Sequence, residues 1–168
     1  MQSLRTSSRL ITIETLYLIT VIEDERAKIE KLLRKRCGKT FLGVFAIDRL
    51  PRRLPSRRPL LLVCNTDPHD RPGEHWIAMY IDTRGEYFDS FGEEPRKTFE
   101  LYLDKHCNIW TRNDRALQSV LSSFCGHYCV FYCLFKCLNY DITAITNVFI
   151  NDTAFNDYIV HKFVCDGL

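Results

Sequence analysis

The sequence FCGHYCVFYCLFKCL, residues 124–138, decides the fold. It is almost wholly apolar, and it is longer than an ordinary strand, which is typical of a buried helix. Cysteines recur in it at every fourth position, so they share one helix face. Four such neighbours on one helix cannot all pair as disulfides. The pattern therefore predicts buried free thiols and a reducing, intracellular setting. The four cysteines are Cys125, Cys129, Cys133 and Cys137.

Shorter segments predict the sheet on which this helix packs. Residues 60–65 form an apolar run before an Asn-Thr-Asp-Pro turn, the pattern of a buried strand. Residues 75–82 and 86–90 are rich in aromatic side chains and are joined by a short connection with glycine, as in a β-hairpin. Further elements are a strand near 108–111 and helices near 23–36, 97–105 and 144–164. We predict a single-domain α+β fold with a small, mainly antiparallel sheet packed on a central buried helix.

The composition indicates one soluble globular domain. The chain has 168 residues, of which 46% are hydrophobic and 26% charged, with a net charge of +2. The apolar run 10–22 follows two arginines, as in a signal peptide, but Glu14 interrupts it and it is too short to span a membrane. We expect residues 1–22 to form an extension or a buried strand, residues 23–168 to form the domain, and no membrane association.

Cys125 differs from the other cysteines of the helix because it lies in the first turn. Ser122 and Ser123 stand where an N-cap residue belongs. The unpaired backbone N–H groups and the positive end of the helix dipole lower the pKa of a thiol in that turn. Gly126 would let a substrate backbone approach closely. Cys125 is therefore a candidate nucleophile.

Three polar residues upstream could complete a site around this thiol. His75 opens the first hairpin strand and Asp89 lies near the end of the second, so antiparallel pairing places them at the same edge. Asp89 could orient the imidazole while His75 acts as general base toward Cys125. The amide of Gln118, with the Cys125 backbone N–H, could form an oxyanion hole. Each residue also has an ordinary reading, as a core cysteine, strand histidine, turn aspartate or surface glutamine.

Two short patterns suggest a zinc site: Cys125-x-His127-x-Cys129, and His161 with Cys165 four residues later. On a helix, His127 points away from both cysteines, because residues on one face lie three or four positions apart. No second ligand pair in the sequence clearly faces them. We therefore predict no metal site and no small-molecule cofactor.

The local contexts of these residues resemble the adenovirus-type cysteine protease (adenain) family, which includes proteases of virus-like transposons. They resemble the SUMO and ubiquitin-like-protein proteases more distantly. The segments that carry the resemblance are, in order, CGKTFLGVFAIDRLP (37–51), GEHWIAMYID (73–82), YFDSFG (87–92) and QSVLSSFCGHYC (118–129). The resemblance spans about residues 37–138 and implies a permuted papain-like fold. It also implies catalytic roles for His75, Asp89, Gln118 and Cys125.

Family membership would imply an endopeptidase that cleaves viral or virus-like capsid and core precursors at Gly-containing sites, in the host nucleus or the virion. It also implies two activating cofactors, DNA and a viral peptide that forms a disulfide with Cys107. The sequence departs from the adenovirus enzymes in two ways. The triad acid is Asp89 rather than Glu, as in the SUMO-type enzymes, and the chain reaches only Leu168, so the C-terminal region is short. We expect a monomer.

Two clusters of basic residues form a candidate DNA-binding surface. The first comprises Arg34, Lys35, Arg36 and Lys39, and the second comprises Arg49, Arg52, Arg53, Arg57 and Arg58. Both clusters could instead be ordinary solvated surface. Two other functions stay open. Asp89 favours deconjugation of SUMO or another ubiquitin-like protein, and the basic clusters favour a non-catalytic nucleic-acid-binding module.

Overall fold

The computed structural model describes residues 13–71 and 73–167, and side chains from residue 25 onward within those ranges. This part of the chain forms five α-helices and one five-stranded sheet. The helices are α1 (Ile13–Cys37), α2 (Lys97–His106), α3 (Cys125–Cys137), α4 (Ile142–Thr146) and α5 (Thr153–Asp166). The strands are β1 (Phe41–Ala46), β2 (Leu60–Asn65), β3 (Trp76–Ile81), β4 (Arg84–Phe88) and β5 (Ile109–Arg112).

The sheet has the strand order β1-β2-β3-β4-β5. The two inner pairs, β2–β3 and β3–β4, are antiparallel, whereas the outer pairs β1–β2 and β4–β5 are parallel. The α+β class is confirmed, but the sheet is mixed rather than mainly antiparallel. Parallel neighbours need a long connection. Between β1 and β2 the connection is residues 47–59, which are rich in proline and arginine. Between β4 and β5 the connection contains α2.

Both faces of the sheet are covered, which explains why its strands are continuous apolar runs. Strand β2 is buried at all six positions. Its Leu61 and Val63 pack toward α1 and α3 in the larger core. On the opposite face, Leu60 and Leu62 join the core formed with α2. The candidate nucleophile belongs to the larger core.

Helix α3 is the predicted central helix, since nine of its 13 residues are buried. All eight cysteines of the chain are free thiols, as predicted. Cys129 and Cys133 are completely buried, and burial raises the pKa of both thiols well above the usual value. These two cysteines are therefore inert packing residues, whereas Cys125 stands at the helix start.

A buried polar cluster fixes α3 against β4. The Glu86 carboxylate accepts hydrogen bonds from Tyr132 Oη at 2.6 Å and from Lys136 Nζ at 2.8 Å. The backbone N–H of Ile142 donates to the same carboxylate at 3.3 Å. Because the charges of Glu86 and Lys136 are paired and hydrogen-bonded, they can be buried, and they set where α3 lies across the sheet.

The expectation for the N-terminal region needs one correction. Helix α1 begins at Ile13, so residues 13–22 are helical and not a strand. No glycine or proline interrupts residues 10–37, so nothing local stops the helix predicted over 23–36 from extending backward. The predicted boundary at residue 22 falls inside this helix, and residues 1–12 lie outside the described residues. Among the described residues, no helix has the length and apolar character needed to cross a membrane.

Candidate active site

His75 and Asp89 meet at the edge of the β3–β4 hairpin, as predicted. His75 Nε2 lies 2.9 Å from Asp89 Oδ1. The strand register pairs Ala78 with Phe88, so the contact is diagonal rather than directly across the ladder. Asp89 is 2% exposed, which strengthens its interaction with the imidazole.

Backbone and side-chain contacts hold the carboxylate of Asp89 in place. The Phe91 backbone N–H donates to Asp89 Oδ1 at 2.8 Å. Asn113 clamps the Asp89 backbone from both sides, since its Oδ1 accepts from the Asp89 N–H at 3.0 Å and its Nδ2 donates to the Asp89 carbonyl at 2.6 Å. The Phe91 ring packs on His75 with centroids 5.0 Å apart. The fixed Asp89 carboxylate and the Phe91 ring therefore hold the imidazole in one orientation.

The second nitrogen of His75 is left for Cys125. His75 Nδ1 is buried and has no hydrogen-bond partner of its own in the part of the chain that the structure describes. Burial opposes protonation of the ring, but the hydrogen bond and charge of Asp89, together with the nearby Cys125 thiol, outweigh it and raise the pKa of His75 to about 9. At neutral pH the ring is therefore an imidazolium, the charge that stabilises a neighbouring thiolate.

Cys125 is the first residue of α3, but no serine caps this helix. The N-cap residue is Phe124, without a side-chain cap hydrogen bond, so the expected cap by Ser122 or Ser123 is wrong. The Ser122 hydroxyl instead donates to the Ser119 carbonyl at 3.1 Å. The helix start still lies at Cys125, where backbone N–H groups lack helical acceptors.

Gln118 lies in the loop that leads into α3, but its amide is occupied. Gln118 Nε2 donates to the Ser122 carbonyl at 3.0 Å and to its hydroxyl at 3.1 Å, while Oε1 accepts from Ser90 Oγ at 2.7 Å. A carbonyl oxygen only accepts, so this orientation of the amide is fixed. Its role in an oxyanion hole stays a prediction that requires release from Ser122.

Cys107 is not brought to the other predicted site residues. It lies in the core on the α2 side of the sheet, whereas Cys125 lies in the core on the α3 side. Its thiol packs so closely on Gly85 that a Cβ there would lie 2.5 Å from Cys107 Sγ. Burial raises the pKa of this thiol. A disulfide to a peptide cofactor stays a prediction, and it would require this segment to open.

Glu25 was missed by the sequence analysis, although it packs beside the start of α3, next to Trp76 and Gly126. Trp76 Nε1 donates to Glu25 Oε2 at 3.2 Å. A Cβ added to Gly126 would lie 2.6 Å from Glu25 Oε1 and 3.0 Å from Ile29 Cδ1. Burial raises the pKa of Glu25, against the hydrogen bond from Trp76 and the charge of Lys28. Asn113 and Ser90 were also missed, because nothing in their local sequence marks them.

A group of possible metal ligands lies on the other side of α3. His127, His161 and Cys165 come together because α5 packs along α3. Cys125 and Cys129 do not join this group, as expected, but His161 and Cys165, which the sequence analysis treated as a separate pattern, lie beside His127. Sequence separation hid the contact, since α3 and α5 meet only in the tertiary structure.

The two basic clusters adjoin each other. Arg57 Nε donates to the Lys39 backbone carbonyl at 3.0 Å, which joins the second cluster to the chain segment following α1. Some of the cations also have structural partners, since Arg34 pairs with Glu30 at 2.5 Å and Arg49 contacts His69 at 2.8 Å. DNA binding by these clusters stays a prediction.

No protein-family model matches the chain. A segment of 53 residues, 30% of the chain, is 36% identical to a protein of Acanthamoeba polyphaga mimivirus described as a candidate thiol protease, of which it covers 18%. The structure matches that of the ASFV pS273R protease with a TM-score of 0.58 and 18% identity, over 81% of this chain and 65% of the viral one. ChlaDub1 from Chlamydia trachomatis matches at a TM-score of 0.45 and 17% identity, over 92% of this chain and 76% of that one.

The chain thus spans less than a fifth of the mimivirus protein and about two thirds of the ASFV protease. None of these three proteins is an adenovirus protease, so the resemblance to that group in particular stays a prediction. The structural likeness concerns the fold alone: this chain has the fold of a viral cysteine protease, and His75, Asp89 and Cys125 meet at one edge of it.

Proposed function

We propose that the chain is a cysteine endopeptidase in which Cys125 is the nucleophile, His75 the general base and Asp89 the group that orients the imidazole. The observation that carries this proposal is the arrangement around His75. Asp89 binds Nε2, and Nδ1 is left for a thiol at a helix start. The thiol protease similarity and the shared fold support a peptidase.

The residues fit a two-step hydrolysis. The Cys125 thiolate attacks the peptide carbonyl, and the His75 imidazolium protonates the leaving amine. Neutral His75 then takes a proton from water, whose hydroxide attacks the thioester; the acid product leaves and the Cys125 thiolate and His75 imidazolium are restored. The Cys125 backbone N–H and the Gln118 amide, once freed from Ser122, would stabilise the oxyanion.

We infer that the substrates are viral or virus-like precursor proteins cleaved at Gly-containing sites. The mimivirus and ASFV proteins, to which the chain is similar, are both viral. The preference for Gly-containing sites rests on the adenovirus-type resemblance. The free cysteines agree with an intracellular site of action, in the host nucleus or the virion.

DNA and a viral peptide are the activating cofactors we propose, both from the adenovirus-type resemblance. The adjoining basic clusters support DNA, because phosphate contacts depend on grouped cations. DNA should increase kcat/KM, and the increase should disappear at high salt. If DNA did not increase kcat/KM, or if the increase did not depend on salt, DNA would not be an activating cofactor of the kind proposed. For the peptide, Cys107→Ser should abolish activation by a cognate capsid-derived peptide.

The experiment that tests the peptidase is labelling with a peptide electrophile that carries a Gly-Gly sequence, followed by mass spectrometry. Labelling should occur at Cys125 and should be lost in His75→Ala. The matched control is Cys137→Ser, which removes a cysteine at the other end of α3. Absence of labelling in a folded protein would favour the non-catalytic nucleic-acid-binding module.

Deconjugation of SUMO or another ubiquitin-like protein is the second candidate. Asp89 favours it, since the observed triad acid is the one found in the SUMO-type enzymes. Incubation with a SUMO fusion beside a Gly-Gly capsid-type peptide separates the two. Cleavage of the SUMO fusion but not of the peptide would favour the deconjugating protease over the precursor-cleaving endopeptidase.

A further inference from the structure

The three side chains grouped on the far side of α3 have the chemistry of a metal site. His127 Nε2 lies 3.8 Å from Cys165 Sγ, and His161 Nδ1 lies 3.6 Å from the same sulfur. The three candidate ligand atoms all lie within 4.8 Å of one another. Two imidazoles and one thiolate are a ligand set typical of zinc.

The two sulfur–nitrogen distances match the spacing of ligands in a tetrahedral site. With Zn–S of ~2.3 Å and Zn–N of ~2.05 Å, a sulfur and a nitrogen bound to one tetrahedral ion lie ~3.6 Å apart. The two observed sulfur–nitrogen distances, 3.6 Å and 3.8 Å, are close to this value. The sulfur of Cys165 therefore already stands at ligand spacing from both imidazole nitrogens.

The surroundings prepare the two imidazoles to act as ligands. The Phe124 ring packs against both, with centroids 5.2 Å from His127 and 5.0 Å from His161.

The thiol is also accessible, because Cys165 is the one exposed cysteine among the eight of the chain. A cleft lined by Val130, Val164 and Lys28 opens beside it, between α1, α3 and α5. An ion could therefore enter from solvent and keep a water as its fourth ligand.

We propose that His127, His161 and Cys165 bind one Zn²⁺ ion that joins the last two turns of α5 to the first turn of α3, on the side of α3 opposite the candidate nucleophile. Binding transfers the Cys165 thiol proton to solvent, and the ion is held by the thiolate, His127 Nε2, His161 Nδ1 and water. The ion would tie the C-terminal helix to the helix that begins with Cys125.

The test uses the full chain with Cys125→Ser, so that the peptidase nucleophile neither binds metal nor influences the result. Calorimetry should show one Zn²⁺ per chain. Adding Cys165→Ser should weaken binding at least ~100-fold, because it removes the anionic ligand. Co²⁺ in place of Zn²⁺ should give a thiolate charge-transfer absorption band that the Cys165→Ser chain lacks.

The matched control adds Cys137→Ser to Cys125→Ser, which leaves the same number of cysteines and should not change Zn²⁺ affinity. His161→Ala is a second ligand variant and should also weaken binding. Equal affinity in the two double variants, no Zn²⁺ binding, or Co²⁺ binding without the thiolate band would each overturn the proposal. None of these readouts requires peptidase activity. The metal-site proposal can therefore be contradicted without contradicting the proposed peptidase, and the peptidase can be contradicted without contradicting the metal site.

Discussion

Two clusters of histidine and cysteine each include one residue from the first turn of α3. Their surroundings favour opposite chemistry. One contains Cys125 and His75, with Asp89 behind the imidazole. The other contains His127, with His161 and Cys165 from α5. Both combine imidazole with thiol, but the third member is a buried carboxylate in the first cluster and a second imidazole in the second.

Burial and the third member together set the charge of the ring. In the first cluster, Asp89 and Cys125 raise the pKa of His75 to about 9 in spite of burial. In the second, burial and the charge of His161 lower the pKa of His127. An imidazolium stabilises a thiolate for attack, whereas a neutral imidazole has a free electron pair for a metal. The same residue types thus support a nucleophile on one side of the helix and a ligand set on the other.

The largest expected effect separates the two cysteine roles on one helix. Cys125→Ala should reduce kcat/KM for a cleavable peptide by ~10⁴-fold or more, because no other described thiol is placed beside His75. Cys137→Ser, at the far end of α3, should keep near wild-type activity. If Cys125→Ala kept a tenth of the activity, the assignment of the nucleophile would be wrong.

The next prediction removes the charge that distinguishes the first cluster. Asp89→Asn should lower kcat/KM by ~10²- to 10⁴-fold, because the neutral amide no longer stabilises the imidazolium. His75 has a raised pKa, so the imidazolium is present below about pH 9 and is lost as the pH rises through that value.

A pH profile of kcat/KM measures this effect. The wild-type alkaline limb should lie near pH 9, and the limb of Asp89→Asn should move to lower pH. A variant that loses activity with an unmoved alkaline limb would show that Asp89 does not act through the charge of His75.

Asn113→Ala should have a smaller effect, because it acts on the first cluster indirectly. It removes two hydrogen bonds to the Asp89 backbone. Leaving these buried groups unpaired should cost ~1–3 kcal/mol of unfolding free energy, measured by urea denaturation. We expect ~10-fold lower kcat with an altered pH profile, since Asp89 would hold His75 less firmly. Asn108→Ala, at an exposed position, is the control and should change neither quantity.

The smallest effect tests whether the third member alone sets the ring charge. His161→Asp places a carboxylate in the second cluster, where it should raise the pKa of His127 above its wild-type value. The measurement is an NMR titration of the His127 ring in metal-free buffer. An unchanged or lower pKa would mean that burial, and not the neighbouring charge, controls this ring.

Local patterns predicted the elements that carry the site. Strand β2 was placed at residues 60–65, and α3 and α2 were placed to within a residue at each end. Apolar runs and helix-length segments are local signals, and the two sheet faces bury them as expected. The meeting of His75 with Asp89 was also predictable, because one hairpin joins them and both lie at its open end.

Contacts between distant segments were not predictable in this way. Glu25 of α1 reaches Trp76, and Ser90 donates a hydrogen bond to the Gln118 amide, whose nitrogen is thereby turned toward Ser122. The expected serine cap failed for a related reason, since the Ser122 hydroxyl bonds within its own loop. Propensity marks a residue type that can cap a helix, but competing partners decide whether it does.

By itself, the sequence determined which residue types recur, which segments are helices or strands, and which cysteine begins the central helix. The packing of α1 and α5 against α3 decided which side chains share a neighbourhood. That packing placed Glu25 beside Gly126 and assembled His127, His161 and Cys165. The physical reason is that periodicity and capping act over a few residues, whereas charge, burial and ligand geometry depend on atoms that only the folded chain brings within a few ångströms.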